Sequence, residues 1–376
     1  MNLEKRVELL ILVFYPENAM IKAANLNFLT IKEYTMSQII HVNTDQNDHN
    51  AFHSIHEALQ SIPSDNTTPI TIEIAPGTYR EKLTIDKPYL TLLGSGAQNS
   101  DTVLSYDDYA NDTLPDGEKR GTFRSYSVLI DTHDITLRNL TIENASGDSK
   151  THGQAIALYA DGDRMLLDHC RLLGHQDTLF TGPLPPKEIK PGGFAGPKQF
   201  APRINGRHYY KDCYICGDID FIFGSATAYF EHCTIESLYR PLDGEGQIQG
   251  YTTAASTPEG QEYGYVFSHC AFTSAQCPAH SVYLGRPWRD YAKTVLLNCS
   301  LGAHIHPAGF HDWNKPAAHA TMFYAEYQNT PLSDDPSSGT PDAAFPDRAS
   351  FCHTLTDAQA AHYAKELVLG DWEPLV

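Results

Sequence analysis

FEHCTI, at residues 230–235, is one of six related phrases that recur through the middle of this 376-residue chain. The others are LRNLTI (137–142), LDHCRL (167–172), YKDCYI (210–215), FSHCAF (267–272) and the shorter LNCSL (297–301). Each phrase has one polar residue at the same phase, and these residues are Asn139, His169, Asp212, His232, His269 and Asn298. Their intervals of 30, 43, 20, 37 and 29 residues are on the scale of solenoid coils whose loops absorb insertions.

The segments between these phrases contain short β-rich runs broken by Gly, Asn and Asp, without a helical period. A doubly wound α/β fold needs a helical pattern between successive strands. The repeat therefore predicts an all-β fold, a parallel β-helix.

The cysteines follow the same repeat. Five of the eight occupy one phase, namely Cys170, Cys213, Cys233, Cys270 and Cys299. Equivalent positions stack in a solenoid, so we expect an interior column of small apolar side chains. CYIC (213–216) resembles half a metal site or a redox pair, but no second pair follows at ligand spacing. An unpaired set of thiols favours a reducing compartment.

The two ends differ from the middle. Residues 1–35 resemble a leader, because a basic pair precedes LLILVFY (9–15), but no convincing cleavage site follows. We favour an internal start or a disordered leader over secretion, followed by one domain over 36–376. In that domain a helix at 51–61 caps the first coil. An extended segment is expected at 331–348, and a closing helix within 355–370 with Thr356 as its N-cap.

Composition limits the partners. The 46 acidic and 27 basic side chains give a net charge of −19, which disfavours nucleic acid and anionic membranes as partners. The longest apolar run has seven residues, far below the ~20 that a membrane helix needs. The 21 tyrosines fit either a cleft that stacks sugars or an ordinary β-sheet surface.

Candidate chemistry lies in polar side chains within apolar β phrases. These phrases are GQAIALYA (153–160), GHQDTLF (174–180), GDIDFIFG (217–224) and YLGRPWRD (283–290). The carboxylate of Asp220 among bulky apolar residues needs a cation, and Arg286 is the candidate. Such a pair alone could simply join two coils. Two carboxylates with amide donors could instead hydrolyse an ester, or cleave a glycosidic bond.

Seven stretches resemble the pectin methylesterases, carbohydrate esterase family 8. They are GTYREKL (77–83), GTFRS (121–125), GQAIAL (153–158), QDTL (176–179), DFIFG (220–224), LGRPW (284–288) and EYQNT (326–330), in family order. The resemblance implies a right-handed parallel β-helix that hydrolyses the methyl ester of galacturonate in pectin or methylated oligogalacturonides. It implies methanol release and no metal or cofactor.

The resemblance also implies roles for single residues. Asp220 matches the nucleophile, and Asp177 the general acid that becomes the base. Gln176 and Gln154 match the oxyanion donors, while Arg286 orients Asp220. The residues expected to contact substrate are Thr122, Gln154, Tyr159, Phe180, Phe223, Arg286 and Trp288.

The chain departs from the family pattern in three ways. An insert, TGPLPPKEIKPGGFAGPKQFAPR (181–203), lies between Asp177 and Asp220, and it fits either a wall of the cleft or a surface decoration. The PAGF phrase has Phe310 where relatives have Trp. A secretion signal and pro-region are not evident, so we expect a cytoplasmic monomer, with secretion as the alternative. A pectin glycosidase or lyase, or an inactive pectin-binding protein, remains the competing interpretation.

Overall fold

The structure is a computed structural model that describes residues 38–45, 47–242, 246–333 and 345–375. The expected leader (1–35) and the central part of the expected extended segment (334–344) lie outside these ranges. In chain order the described strands are β1 (Gln38–Val42), β2 (Ile70–Ile74), β3 (Gly77–Arg80), β4 (Leu83–Ile85), β5 (Leu90–Gly94), β6 (Thr102–Tyr106), β7 (Val128–Ile130), β8 (Ile135–Arg138), β9 (Thr141–Asn144), β10 (Leu158–Ala160), β11 (Met165–Asp168), β12 (Arg171–Leu173), β13 (Leu179–Thr181), β14 (Arg207–Lys211), β15 (Tyr214–Gly217), β16 (Ile219–Gly224), β17 (Thr227–Glu231), β18 (Thr234–Ser237), β19 (Gly250–Ala255), β20 (Tyr265–Ser268), β21 (Ala271–Thr273), β22 (Val282–Gly285), β23 (Lys293–Leu297), β24 (Ser300–Leu301), β25 (Phe323–Tyr327), β26 (Thr330–Pro331) and β27 (Cys352–Thr354).

Within the described ranges these strands form three parallel sheets, which the chain visits in turn. Sheet A contains β1, β2, every third strand from β5 to β23, and then β25 and β27. Sheet B contains every third strand from β3 to β24, and then β26, while sheet C contains every third strand from β4 to β22. One coil therefore contributes one strand to each sheet, and the predicted parallel β-helix is confirmed.

The polar position of the repeat is the turn from sheet A to sheet B. Its residues all have left-handed backbone conformations with φ between 50° and 55°, and they are Asn139, His169, Asp212, His232, His269, Asn298 and Gln328. Asn, Asp and His are enriched in this region of φ/ψ space. From Asn139 to Asn298 the backbone N–H of each turn residue donates to the next coil, as from His232 to the carbonyl of Ser268 (3.0 Å). The repeat is therefore a sequence signal for a tight, stacked turn.

The cysteine column is confirmed as part of the interior. Its five members are buried, and all eight cysteines of the chain are free thiols. Four of the five thiols lie against a carbonyl oxygen of the coil before them, as Cys233 Sγ lies 3.4 Å from Tyr210 O and Cys270 Sγ 3.4 Å from Phe230 O. Beside the column, the rings of Tyr210, Phe230 and Phe267 stack at centroid distances of 4.5 and 4.4 Å. The coils are thus held together by an apolar core.

The α-helices in the described ranges are α1 (Ile55–Gln60), α2 (Ser149–His152), α3 (Asp357–Ala360) and α4 (Lys365–Leu369), and short 3₁₀ turns occupy Thr122–Arg124, Pro316–Ala320 and Ala361–Tyr363. Helix α1 buries Ile55, Ala58 and Leu59 against β1 and β4, the first strands of sheets A and C. The expected closing helix begins at its predicted N-cap, Thr356, with a capping box, but it is broken into α3, a 3₁₀ turn and α4. No described helix is long and apolar enough to cross a membrane.

Candidate active site

Sheet C brings the four chemical phrases together. Gln154 lies before β10, Asp177 before β13, Asp220 within β16 and Arg286 just after β22. Strands β10, β13, β16, β19 and β22 are consecutive neighbours in this sheet. The prediction that these phrases lie on neighbouring coils and share one face is therefore confirmed by the topology.

A cavity of about 240 Å³ opens at this face. Its walls are formed by Thr122, Phe123, Gln154, Gln176, Asp177, Gly193, Asp220, Phe223, Ala254, Arg286, Trp288 and Trp313. Both expected catalytic carboxylates, both carboxamides and the expected arginine thus line one cavity.

The two aspartates expected to be catalytic have unusual backbone conformations. Asp177 has φ 67° and Asp220 has φ 50°, and the pairing of β16 with β19 is irregular between Ile219 and Ile222. The two segments are also tied to each other, because Asp177 N–H donates to Ile219 O (3.0 Å) and Asp218 N–H donates to His175 O (3.1 Å). Sparsely populated backbone states of this kind concentrate at active sites, where the surrounding structure holds them.

Arg286 binds Asp220 through two parallel hydrogen bonds. Its Nε donates to Oδ1 at 2.8 Å and its Nη2 donates to Oδ2 at 2.7 Å. Two aromatic rings hold the guanidinium, Tyr251 with its centroid at 3.8 Å and Trp313 at 3.7 Å. A planar guanidinium fixed by aromatic rings gives a bidentate ion pair of defined orientation. The carboxylate of Asp220 is therefore held in one geometry.

Burial and neighbouring charges give the carboxyls of Asp177 and Asp220 different pKa values. Burial raises the pKa of Asp177 well above its usual value, and the nearby charge of Asp220 raises it further. Burial also raises the pKa of Asp220, but the charge and hydrogen bonds of Arg286 oppose this rise. Because Arg286 pairs with Asp220, that carboxyl ionises before Asp177 does. One carboxylate and one carboxylic acid then coexist in the cavity.

A third carboxylate, Asp218, lies behind the pair and was missed by the sequence reading. Its side chain is buried, and it accepts hydrogen bonds from Ser149 Oγ (2.6 Å) and from the backbone N–H of Ile219 (2.7 Å). His175 Nδ1 lies 3.4 Å from its Oδ2. The charge of Asp218 contributes to the raised pKa of Asp177. The first acidic residue of GDIDFIFG, two positions before Asp220, was the available signal.

Some of the residues expected to contact substrate line the cavity, and others are buried behind its wall. Thr122, Phe223 and Trp288 line the cavity as expected. Tyr159 and Phe180 do not, because both are fully buried and pack edge-to-face on each other with centroids 4.7 Å apart. These two rings support the wall from beneath and are not exposed to a substrate in the cavity.

Four wall residues were missed by the sequence reading, Phe123, Gly193, Ala254 and Trp313. Trp313 follows the PAGF phrase, whose departure from the family pattern had drawn attention to Phe310. Phe310 itself is fully buried and stacks on Tyr324 at 4.3 Å. That departure therefore affects the core and not the lining of the cleft.

Among the described residues, one acidic cluster away from the cavity has metal-ligand spacing. Its members are Asp168, His169 and Asp212. Asp168 already pairs with Arg138 at 2.9 Å, and Asp212 lies 3.6 Å from Lys211 Nζ. The cluster is thus accounted for by ion pairs at the turns between sheets A and B.

A sequence model of the family described as Pectinesterase matches residues 40–183 and 203–363. The chain belongs to the pectinesterase family. Pectinesterase 31 of Arabidopsis thaliana is 30% identical over 327 residues, which is 86% of this chain and 90% of that protein. Pectinesterase A of Dickeya chrysanthemi is 32% identical over 366 residues, 89% of this chain and 91% of that protein. The match to pectinesterase QRT1 of A. thaliana, 32% identical, covers 73% of this chain and only 65% of that relative.

Solved structures of pectin methylesterases share the fold of this pectinesterase. One, in complex with a hexasaccharide, has a TM-score of 0.70 and 31% identity, and the similarity covers 90% of this chain and 98% of that one. The carrot pectin methylesterase has a TM-score of 0.68 and 25% identity, with coverage of 89% and 94%. The chain is thus a carboxylic ester hydrolase of the pectin methylesterase type, and the expected family and reaction class are confirmed.

Proposed function

We propose that this pectinesterase hydrolyses methyl-esterified galacturonate through a covalent intermediate on Asp220. The observation that carries the proposal is the asymmetry of the two carboxyls. Asp220 has a bidentate cation partner, Arg286, whereas burial and the charge of Asp220 raise the pKa of Asp177 well above its usual value. A nucleophile must be ionised and an acid must hold a proton, so the roles follow from the environments.

The first half of the reaction forms the acyl-enzyme. A carboxylate oxygen of Asp220 attacks the C6 carbonyl carbon of the ester, and negative charge develops on the carbonyl oxygen. The carboxamides of Gln154 and Gln176 line the same cavity and would donate to that oxygen. The bond from carbon to the methoxy oxygen then breaks, Asp177 gives its proton to this oxygen, and methanol leaves a mixed anhydride on Asp220.

The second half restores the enzyme. Asp177, now a carboxylate, takes a proton from a water molecule whose oxygen attacks the acyl carbon of the galacturonyl group. The bond to Asp220 breaks, the galacturonate carboxyl is released, and Asp220 is again a carboxylate paired with Arg286. Arg286 keeps Asp220 ionised and oriented before the attack and after the anhydride is hydrolysed, and Trp288 provides an aromatic face for the sugar ring.

Two substitutions test these roles. Asp220→Asn removes the nucleophile and keeps the shape, so methanol release should fall by several orders of magnitude. Asp177→Asn should lower it by roughly 10²–10⁴-fold, the usual contribution of general acid–base catalysis. Methanol and new reducing ends are measured together on methylated pectin, because a glycosidase or lyase would produce chain ends without methanol. An Asp220→Asn protein that is folded and keeps more than a few per cent of activity would contradict the mechanism.

We further propose that the protein works as a monomer in the cytoplasm on methylated oligogalacturonides. Eight free thiols support a reducing compartment. Fractionation of cells that produce the protein naturally tests the location, and activity found outside the cytoplasm would contradict it. Light scattering of the purified protein gives the oligomeric state.

A further inference from the structure

We propose that the insert forms one wall of the substrate cleft and makes the enzyme selective for short methylated oligogalacturonides over long pectin. This inference rests on the proposed function and assigns a substrate size to the same site. The sequence model of the family passes over residues 184–202, so this wall distinguishes the chain from the common pattern of its family. We call residues 184–202 the insert wall.

The insert wall reaches the cavity through its tip. Gly193 lines the cavity directly. The next residue, Phe194, is 6% exposed, and its ring lies edge-to-face on Phe123 (centroids 5.7 Å apart) and on Trp288 (6.2 Å). Leu184, at the start of the insert wall, belongs to the same buried cluster. The tip is therefore part of the aromatic lining of the active site.

The two partners of Phe194 belong to distant coils. Phe123 lies in the turn before β7, whereas Trp288 follows β22, and these strands stand five places apart in sheet C. With ~4.8 Å between neighbouring strands, five places correspond to about 24 Å of sheet. The loops of these two coils nevertheless converge at the cavity, because the ring of Phe194 contacts both Phe123 and Trp288, and the insert wall joins them there. A long pectin chain that extends past the cavity on this side would meet the insert wall, whereas a short oligomer need not extend that far.

The insert wall is internally fixed. The carboxylate of Glu188 accepts the backbone N–H groups of Gly192 (3.1 Å) and Phe194 (3.4 Å). The guanidinium of Arg203 donates to Gln199 O (2.7 Å) and Ala201 O (2.6 Å). Six prolines between residues 181 and 203 restrict the backbone further. These contacts and prolines restrict the conformations that the insert wall can adopt.

The insert wall is also anchored to the β-helix. Lys198 Nζ pairs with Asp131 and lies 3.8 Å from the buried carboxylate of Asp161. At Gly196 the backbone runs so close to Phe123 that an added Cβ would come within 2.7 Å of its carbonyl oxygen. Substrate therefore cannot displace the wall without breaking a partly buried ion pair.

The experiment compares two phenylalanines of the same segment. Phe194→Ala removes the ring that bridges the two loops, and Phe200→Ala is its control because Phe200 is 91% exposed and outside the cavity lining. Values of kcat/KM for methanol release are measured on a methylated trigalacturonide and on highly methylated polymer. We expect the wild type to prefer the trimer. Phe194→Ala should raise the polymer-to-trimer ratio by about tenfold, the scale of changes in pocket contacts, and Phe200→Ala should leave the ratio unchanged.

A second variant, Lys198→Met, keeps the proposal testable if the Phe194→Ala protein does not fold. Lys198→Met keeps the aliphatic stem and removes the anchor, so it should move the ratio in the same direction as Phe194→Ala. An unchanged ratio in a folded Phe194→Ala or Lys198→Met protein would overturn the inference, as would equal losses on both substrates. Failure of the wild type to release methanol from either substrate would instead overturn the proposed function.

Discussion

The surroundings of Asp161 predict how much its charge changes the free energy of unfolding. It follows β10 directly, is 7% exposed, and has Lys198 of the insert wall at 3.8 Å. Burial raises the pKa of Asp161 from 3.8 to about 6, even though Lys198 lowers it. The net cost of placing this charge in the folded protein is therefore about 3 kcal/mol, from about two pKa units at 1.36 kcal/mol each.

The sign of the pH effect follows from proton binding. Between pH 4 and 6 the folded protein keeps the proton on Asp161, whereas the unfolded chain has lost it. Stability from this group is thus fully present below pH 3.8, falls as the pH rises through this window, and stays lower above pH 6. Asn has the shape of a protonated Asp and never ionises. We therefore expect Asp161→Asn to be about 3 kcal/mol more stable than the wild type at pH 8, and nearly equal to it at pH 4.

The assay is urea unfolding of both proteins at pH 8 and at pH 4, followed by tryptophan fluorescence. The quantity compared is the difference in free energy of unfolding, variant minus wild type, at each pH. A difference that does not change between the two pH values would refute the reasoning. A variant that is less stable at pH 8 would show that the attraction to Lys198 outweighs the cost of burial.

Two further predictions concern residues outside the proposed catalytic set. Asp218→Asn removes a charge that raises the pKa of Asp177, so the alkaline limb of the plot of kcat/KM against pH should shift to lower pH. An unchanged limb would show that Asp218 does not influence the pKa of Asp177. At His232, exposed and at φ 54°, the Gly variant should be about 1–2 kcal/mol more stable than the Ala variant, because Gly has no Cβ and avoids the cost of a left-handed backbone. Thermal unfolding compares the two variants, and equal stabilities would contradict the turn assignment.

The sequence was sufficient for the fold because its signals are local and repeated. The polar residue of each repeat marks a left-handed turn between sheets A and B, and the buried cysteine position follows it by one residue. The two carboxyls could also be located, since Asp220 interrupts an apolar strand and Asp177 lies just before another, where a charged side chain requires a reason. Such interruptions are visible without coordinates because burial of an unpaired carboxylate is costly.

The burial of individual side chains and the convergence of loops at the cavity could not be predicted in the same way. Tyr159 and Phe180 lie on the correct strands, but only the packing of neighbouring coils decides that they are covered. Trp313 and Gly193 reach the cavity from loops distant in sequence, and no periodic pattern governs loops. The closing helix was predicted from its cap and apolar spacing, yet it is interrupted by a 3₁₀ turn at Ala361–Tyr363 and by the extended backbone of Ala364 (ψ 142°).

The most direct test of the account is a burst measurement on Asp177→Asn with an activated ester. A 4-nitrophenyl ester of the galacturonate carboxyl needs no acid to expel its leaving group, whereas hydrolysis of the anhydride still needs the base. The account predicts rapid release of one equivalent of nitrophenolate per enzyme, then near arrest, and no burst from Asp220→Asn. Continuous turnover by Asp177→Asn without a burst, or the same burst from Asp220→Asn, would contradict the covalent role of Asp220.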